Sequence, residues 1–179
     1  SKRKWIIQGT CIAGAVTLIV GAGGAGKTTL GSQLCYSCVT GLRFFGKNVY
    51  EPGHSLMMVQ EETQNEANLK LRANEQQFGS LEHCKYKIDI ISIEQNIKLT
   101  HFKHDGDVKV LKDYHALKKL IREKKYKIIY LDPLISLKTG AFEENDNEKM
   151  ERFIKDHIIP LGLDNDCAVV IGHHTNKIS

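Results

Sequence analysis

The sequence predicts an α/β fold in which helices cover both faces of a mostly parallel central sheet. Short apolar runs alternate along the chain with helical patterns, which is typical of parallel α/β sheets rather than of sandwiches or bundles. Each run is apolar enough to be a strand covered on both faces. With 179 residues the chain has the size of one domain, and we expect residues 1–179 to form a single domain.

Five apolar runs are predicted to form the core strands. They cover residues 17–20, 56–60, 88–92, 127–132 and 168–172. Ligands of parallel α/β sheets gather at the carboxyl ends of the strands. The residues that follow these five runs are therefore the first candidates for a functional site.

Three helices are predicted from apolar periodicity, over residues 27–41, 113–125 and about 145–160. The first has Leu30, Leu34 and Cys38 at fourfold spacing and ends at Gly41, which suits the left-handed position after a helix. The third begins in a polar segment whose side chains can cap free amides, and we expect it to end before Pro160.

Composition favours a cytoplasmic protein without membrane contact. The longest apolar runs are much shorter than the roughly 20 residues of a membrane-spanning helix, and the N-terminus lacks a secretory signal pattern. The five cysteines have no regular spacing, which favours reduced thiols. Cys35 and Cys38 form a C-x-x-C pair, but without a second pair we expect them to pack in the core rather than to bind metal.

The net charge of +4 agrees weakly with a polyanionic partner such as nucleic acid. The densest basic run, residues 118–127, ends a predicted helix, where cations also complement the helix dipole. A solvated helix end explains this run better than a nucleic-acid site does.

The strongest signal for chemistry is a glycine-rich phosphate loop. It reads Gly21-Ala22-Gly23-Gly24-Ala25-Gly26-Lys27-Thr28, directly after a predicted strand and at the start of a predicted helix that continues through Thr29. In that context residues Gly21 to Thr29 are expected to bind ATP, with the backbone amides and the helix N-terminus holding its phosphates. Lys27 is expected to reach the β- and γ-phosphates, and the hydroxyl of Thr28 to bind Mg²⁺. A glycine-rich turn without ligand would not need the Lys-Thr pair.

Two carboxylate positions follow other strands. Asp132 ends the fourth run and is predicted to hold the magnesium ion, although by itself it could be an ordinary helix cap. Glu61 and Glu62 follow the second run, where one of them could act as the general base for the attacking water. Because side chains alternate along a strand, we expect only one of the two to face the nucleotide. The alternative is a solvated loop.

Two histidines, His173 and His174, follow the last predicted strand. A zinc site is disfavoured, because adjacent residues diverge along a strand and no further ligand lies nearby in the sequence. We expect one of them to contact the γ-phosphate or to sense its loss.

The order of these motifs resembles the RecA-like P-loop ATPases, and within them the RepA type of hexameric replicative helicase. The resemblance covers most of the chain, and its pieces are Trp5-Ile6-Ile7, the phosphate loop, Gln60-Glu61-Glu62, Arg72, Leu131-Asp132-Pro133-Leu134, Glu144-Asn145-Asp146-Asn147 and His173-His174-Thr175-Asn176-Lys177. The phosphate loop is shared by many ATPases. The combination of the last three segments is more particular.

The resemblance implies roles for individual residues. Glu61 matches the catalytic base of the family, with Glu62 beside it, and Asp132 matches the aspartate of the second nucleotide motif. His173 or His174 matches the γ-phosphate sensor. Arg72 resembles a family arginine near the active site.

The resemblance also implies a motor that hydrolyses ATP with Mg²⁺ in a ring, possibly a hexamer, acting on single-stranded DNA in replication or recombination. Members of the family continue beyond the point matching Ser179 with further strands, a DNA-facing loop and an arginine finger supplied in trans. We therefore expect C-terminal strands of the fold to be missing from this chain, and no arginine finger can be assigned within it.

Two other functions remain open. One is a nucleotide-gated DNA-binding regulator or loader with slow ATPase activity. The other is a small-molecule kinase, which shares the phosphate loop but should have an arginine-rich lid. The five arginines of this chain are scattered.

Overall fold

The computed structural model describes residues 3–22, 24, 26–142 and 146–174. In chain order its strands are β1 (Trp5–Ile7), β2 (Cys11–Ile12), β3 (Val16–Gly21), β4 (Ser55–Val59), β5 (Ile88–Ser92), β6 (Thr100–Phe102), β7 (Val108–Val110), β8 (Ile128–Asp132), β9 (Lys138–Gly140) and β10 (Ala168–His174). The helices are α1 (Lys27–Thr40), α2 (Gln64–Phe78), α3 (Lys112–Lys124), α4 (Asn147–Phe153) and α5 (Ile159–Leu163).

The core is a five-stranded parallel sheet in the order β3-β10-β8-β4-β5. Each of its strands coincides with one of the predicted runs to within two residues, so the α/β prediction is confirmed. The arrangement is that of a RecA-like P-loop fold. All five strands point the same way, and the segments after β3, β4 and β8 therefore lie along one edge of the sheet.

Helices cover both faces of this sheet because the strand residues alternate between two hydrophobic clusters. One cluster joins α1 and α2 to the face that carries Met57, Ile128 and Tyr130. The other joins α3 and α5 to the opposite face, which carries Leu56 and Ile129. Cys35 and Cys38 are free thiols buried in the first cluster, as expected for core packing.

Two small sheets accompany the core and were not predicted. Strands β1 and β2 form an antiparallel pair, and β7, β6 and β9 form a three-stranded sheet. These strands are only two or three residues long. Such short segments give no periodicity from which a strand could be recognised.

The third predicted helix differs at its end. It does not stop before Pro160 but passes from α4 through a π-helical turn at Ile154–Ile158 into α5, with Pro160 in the first turn of that helix. Proline is tolerated there because an N–H in the first turn has no helical acceptor. The proline lacks the N–H that would bond to the preceding turn. The wider π-turn lies where this bond is missing, and the helical path continues through it.

The longest helix in the described parts of the chain is α2, with 15 residues. No helix there has the length and apolar character needed to cross a bilayer.

Candidate nucleotide-binding site

The phosphate loop joins the end of β3 to the start of α1. Gly24 and Gly26 have φ of 78° and 82°, a left-handed conformation that residues with a Cβ rarely adopt. Gly26 is the N-cap of α1 and offers no side chain to cap its first amides. These amides and the positive end of the helix dipole are therefore available to an anion. Gly23 and Ala25 lie outside the described residues.

Lys27 is buried and crosses the loop that precedes it. Its Nζ donates hydrogen bonds of 2.9 Å to the backbone carbonyls of Gly21 and Ala22. The salt bridges among the described residues do not include Lys27. Carbonyl partners position the ammonium without neutralising it, so its charge is available to phosphate.

Thr28 and Asp132 meet across the sheet edge. The Thr28 hydroxyl donates a 2.8 Å hydrogen bond to Oδ2 of Asp132, and the Tyr130 hydroxyl donates a 2.6 Å hydrogen bond to the same oxygen. Asp132 is buried. A hydroxyl that donates its proton keeps its lone pairs, so Thr28 and Asp132 together present the hard oxygen ligands that Mg²⁺ prefers.

Gly172 in the neighbouring strand leaves room for the side chain of Asp132. Leu131 pairs with Ile171 in the neighbouring strand β10, which places Asp132 beside Gly172. A Cβ on Gly172 would lie 2.6 Å from Cγ of Asp132. Glycine at this position therefore lets the carboxylate stay where it meets Thr28.

Glu61 and Glu62 both line the same cleft as Thr28 and Asp132. This differs from the expectation that only one of them would face the site. Strand β4 ends at Val59, and the two glutamates lie in the turn that follows, where the strict alternation of a strand no longer applies.

The glutamate turn is held by the segment after β5. The backbone N–H of Ile93 donates to the carbonyl of Glu62, and the carboxylate of Glu94 accepts from the backbone N–H of Gln64 at the start of α2. The buried Gln60 amide donates to the carbonyls of Ile91 and Ser92. These bonds fix the backbone from which Glu61 and Glu62 project.

Lys70 is a cleft residue that was not identified from the sequence. It lies on α2 two turns after the glutamates, and its Nζ is 2.7 Å from Oε1 of Glu62. Within the described structure, Oε2 of Glu62 is buried and has no hydrogen-bond partner. Glu62 and Lys70 are eight residues apart, so helical periodicity from Thr63 onward could have indicated that Lys70 faces the site.

The cleft has a volume of about 450 Å³, within the range of small-ligand sites. The described residues that line it are Gly24, Gly26, Lys27, Thr28, Thr29, Val59, Glu61, Glu62, Glu66, Lys70 and Asp132. Most of the predicted phosphate, metal and base residues are thus brought together. Arg72 is exposed on α2 and is not among these residues.

His173 lies in β10 beside Val20, and His174 lies beside Gly21 at the start of the phosphate loop. His173 is partly buried and is not among the described residues of the cleft. The side chain of His174 and residues 175–179 lie outside the described structure. The sensor role of these histidines stays a prediction.

Burial, with the neighbouring Asp132 charge adding to it, raises the pKa of Tyr130 well above its ordinary range. Its phenol therefore keeps its proton at all physiological pH values. It can act only as a donor toward the carboxylate.

A model of the AAA domain family matches residues 1–179. The chain belongs to this family. A search of curated proteins found no match to the chain. As an AAA domain, the chain is a nucleotide-binding protein with ATPase activity in the general sense of the family.

Proposed function

We propose that this AAA domain is the ATP-binding and ATP-hydrolysing motor domain of a RecA/RepA-like DNA helicase that acts in replication or recombination. One observation carries the nucleotide-related part of the proposal. The hydrogen bond from Thr28 to Asp132 joins the phosphate loop to the carboxylate of a second strand, in a cleft that two glutamates also line.

The cleft has the chemistry to hold a nucleoside triphosphate with Mg²⁺. Lys27 and the uncapped amides of α1 would bind the phosphates, and Thr28 with Asp132 would hold the ion. When bound, Mg²⁺ offsets negative charge on the β- and γ-phosphates. The chain therefore offers positive groups to the phosphates and oxygen ligands to the ion.

Hydrolysis needs a water positioned in line with the γ-phosphate and an acceptor for its proton. The water oxygen bonds to the γ-phosphorus while the bond from that phosphorus to the bridging oxygen breaks, so ADP and phosphate are formed. We assign Glu61 as the base that takes the proton. Its neighbour Glu62 is held by the ion pair with Lys70, which leaves it less available for this role.

The DNA-related part of the proposal rests on the resemblance described above and not on the cleft. The segments around Asp132, Glu144–Asn147 and His173–Lys177 carry it. The net charge of +4 is compatible with single-stranded DNA as a partner. We also propose a homo-oligomeric ring, as the resemblance implies. No arginine of this chain is assigned as the finger that the family supplies in trans.

A second candidate is a nucleotide-gated regulator or loader with slow turnover. The ion pair between Lys70 and Glu62 favours it, because it withholds one of the two cleft glutamates from hydrolysis and leaves turnover to Glu61 alone. In this alternative, ATP binding and not turnover would control association with DNA.

The test is ATP hydrolysis by the purified protein with and without single-stranded DNA, with Lys27→Ala as the blank. For the motor we expect DNA to stimulate turnover and Lys27→Ala to abolish it. Turnover that ignores DNA would contradict the motor. Nucleotide-dependent DNA binding without turnover above the blank would support the regulator instead.

A further inference from the structure

Tyr130 shares an acceptor with Thr28. Both hydroxyls donate to Oδ2 of Asp132, at 2.6 Å from Tyr130 and 2.8 Å from Thr28. Tyr130 is fully buried in β8, two residues before Asp132 on the same face of the strand. Two donors on one oxygen fix the rotation of the carboxylate more firmly than either donor alone.

The ring reaches this position only because α1 makes space for it. A Cβ on Gly31 would lie 2.4 Å from Cε1 and Cζ of Tyr130, well inside contact distance. A glycine inside a helix is less stable than alanine would be there. The chain accepts this cost in the helix that carries Lys27 and Thr28, at the point where the tyrosine passes beneath it.

We propose that Tyr130 is a positioning residue that holds the Asp132 carboxylate in the orientation needed to bind Mg²⁺ with the nucleotide, and that Gly31 is required to admit its ring. The inference rests on the proposed function, because it assumes that Asp132 serves the magnesium ion. Tyr130 does not touch substrate; it acts through Asp132.

The magnitude follows from the usual effect of groups that support a metal ligand. Removing such a partner lowers metal affinity about 10–100-fold. Tyr130→Phe keeps the ring against Gly31 and deletes only the hydroxyl. We therefore expect the Mg²⁺ concentration for half-maximal binding of ATP to rise about tenfold, with little change in nucleotide binding without Mg²⁺.

Tyr126→Phe is a matched control. Tyr126 is also a buried tyrosine whose hydroxyl donates to an aspartate, Asp89, but it precedes β8 at the opposite end of the strand. The two variants lose the same kind of hydrogen bond, and both should lower the melting temperature. Only Tyr130→Phe should alter the dependence on Mg²⁺.

The experiment titrates MgCl₂ into protein with a fluorescent, non-hydrolysable ATP analogue, and repeats the nucleotide titration in EDTA. A selective shift of the Mg²⁺ midpoint in Tyr130→Phe supports the inference. An unchanged midpoint, or equal shifts in both variants, overturns it while the proposed function stands. Wild-type binding that does not respond to Mg²⁺ at all would overturn the assigned metal site, and the inference with it.

Discussion

The two ends of the central sheet differ in how their charged side chains are paired. At the amino ends of the strands, Lys127 pairs with Glu51 at 2.8 Å, and Lys4 bridges Glu51 and Asp166. At the carboxyl ends, the hydrogen-bond partners of Lys27 among the described residues are backbone carbonyls. Lys70 pairs there with one oxygen of Glu62, and within the described structure the other oxygen is buried without a partner.

The difference separates groups that stabilise the fold from groups that are available to a ligand. Paired charges at the amino ends satisfy one another and have little left to offer a ligand. Lys27 and Asp132 are held in place by hydrogen bonds to uncharged groups, and in the described part of the chain only one oxygen of Glu62 is paired, with Lys70. Such an arrangement costs stability, and its location at the phosphate loop indicates what the cost serves.

The largest expected effect comes from replacing the lysine at each end of the sheet by alanine, one variant at a time. Lys27→Ala should lower ATP turnover about 10³-fold, because the γ-phosphate loses its nearest buried cation. The matched variant Lys127→Ala should cost no more than about 1 kcal/mol of stability and leave turnover unchanged. Turnover assays and thermal unfolding of both variants check this. Equal losses of activity would show that the contrast between the ends has no functional meaning.

The next effect distinguishes the two glutamates of the cleft. Glu61→Gln should reduce turnover roughly 10²-fold while ATP binding is retained, because the amide cannot accept the proton of water. Glu62→Gln should have the smaller effect on turnover, since Glu62 is engaged by Lys70. Single-turnover hydrolysis with a parallel binding titration separates the steps. A larger loss in Glu62→Gln would reassign the base.

Gly172→Ala tests whether the position of Asp132 matters as much as its presence. The added Cβ would lie 2.6 Å from Cγ of Asp132, so the carboxylate must shift from the position in which it meets Thr28. We expect the Mg²⁺ concentration for half-maximal ATP binding to rise about tenfold in an otherwise folded protein. Circular dichroism controls for folding, and a normal Mg²⁺ midpoint would be the contrary result.

The smallest effect concerns acid stability at the amino ends. Lys127, and after it Lys4, hold the pKa of Glu51 below its ordinary value of 4.5. A lowered folded pKa gives stability that is fully present above pH 4.5 and lost as pH falls through the folded pKa. Glu51→Gln should therefore reduce stability near neutral pH and flatten its decrease below pH 4.5. Urea unfolding across this range is the measurement, and identical pH profiles would argue against the network.

The core of the fold could be predicted because its strands are buried on both faces and read as continuous apolar runs. Helix α2 gave a weaker pattern, since only Ala67, Leu71 and Asn74 are buried on it, and it was not among the three helices predicted from periodicity. The three-stranded sheet depends on pairing between distant short segments, as in the register of Thr100 with Lys138. Local sequence does not contain that information.

The residues of the candidate site also fall into those that the sequence could identify and those that it could not. Residues with a fixed place in a motif, such as Lys27, Thr28 and Asp132, could be identified from spacing. Tyr130 could not, because its role depends on which residues it meets across the fold. Lys70 was missed, although helical periodicity from Thr63 onward could have indicated that it faces the site. Whether Glu61 and Glu62 could both face the cleft depended on where β4 ends, and strand boundaries are the least certain part of a sequence-based prediction.

The close approach of Gly31 and Tyr130 also has a consequence for how such chains vary. The ring occupies the volume that a Cβ at position 31 would need. Replacing Gly31 alone therefore creates a clash, and replacing the aromatic ring alone by a smaller side chain leaves a hole. In homologous chains the two positions should change as a pair. A tyrosine two residues before the strand-terminal aspartate should occur with a glycine four residues after the lysine of the phosphate loop, and smaller residues at the first position should occur with alanine or larger residues at the second.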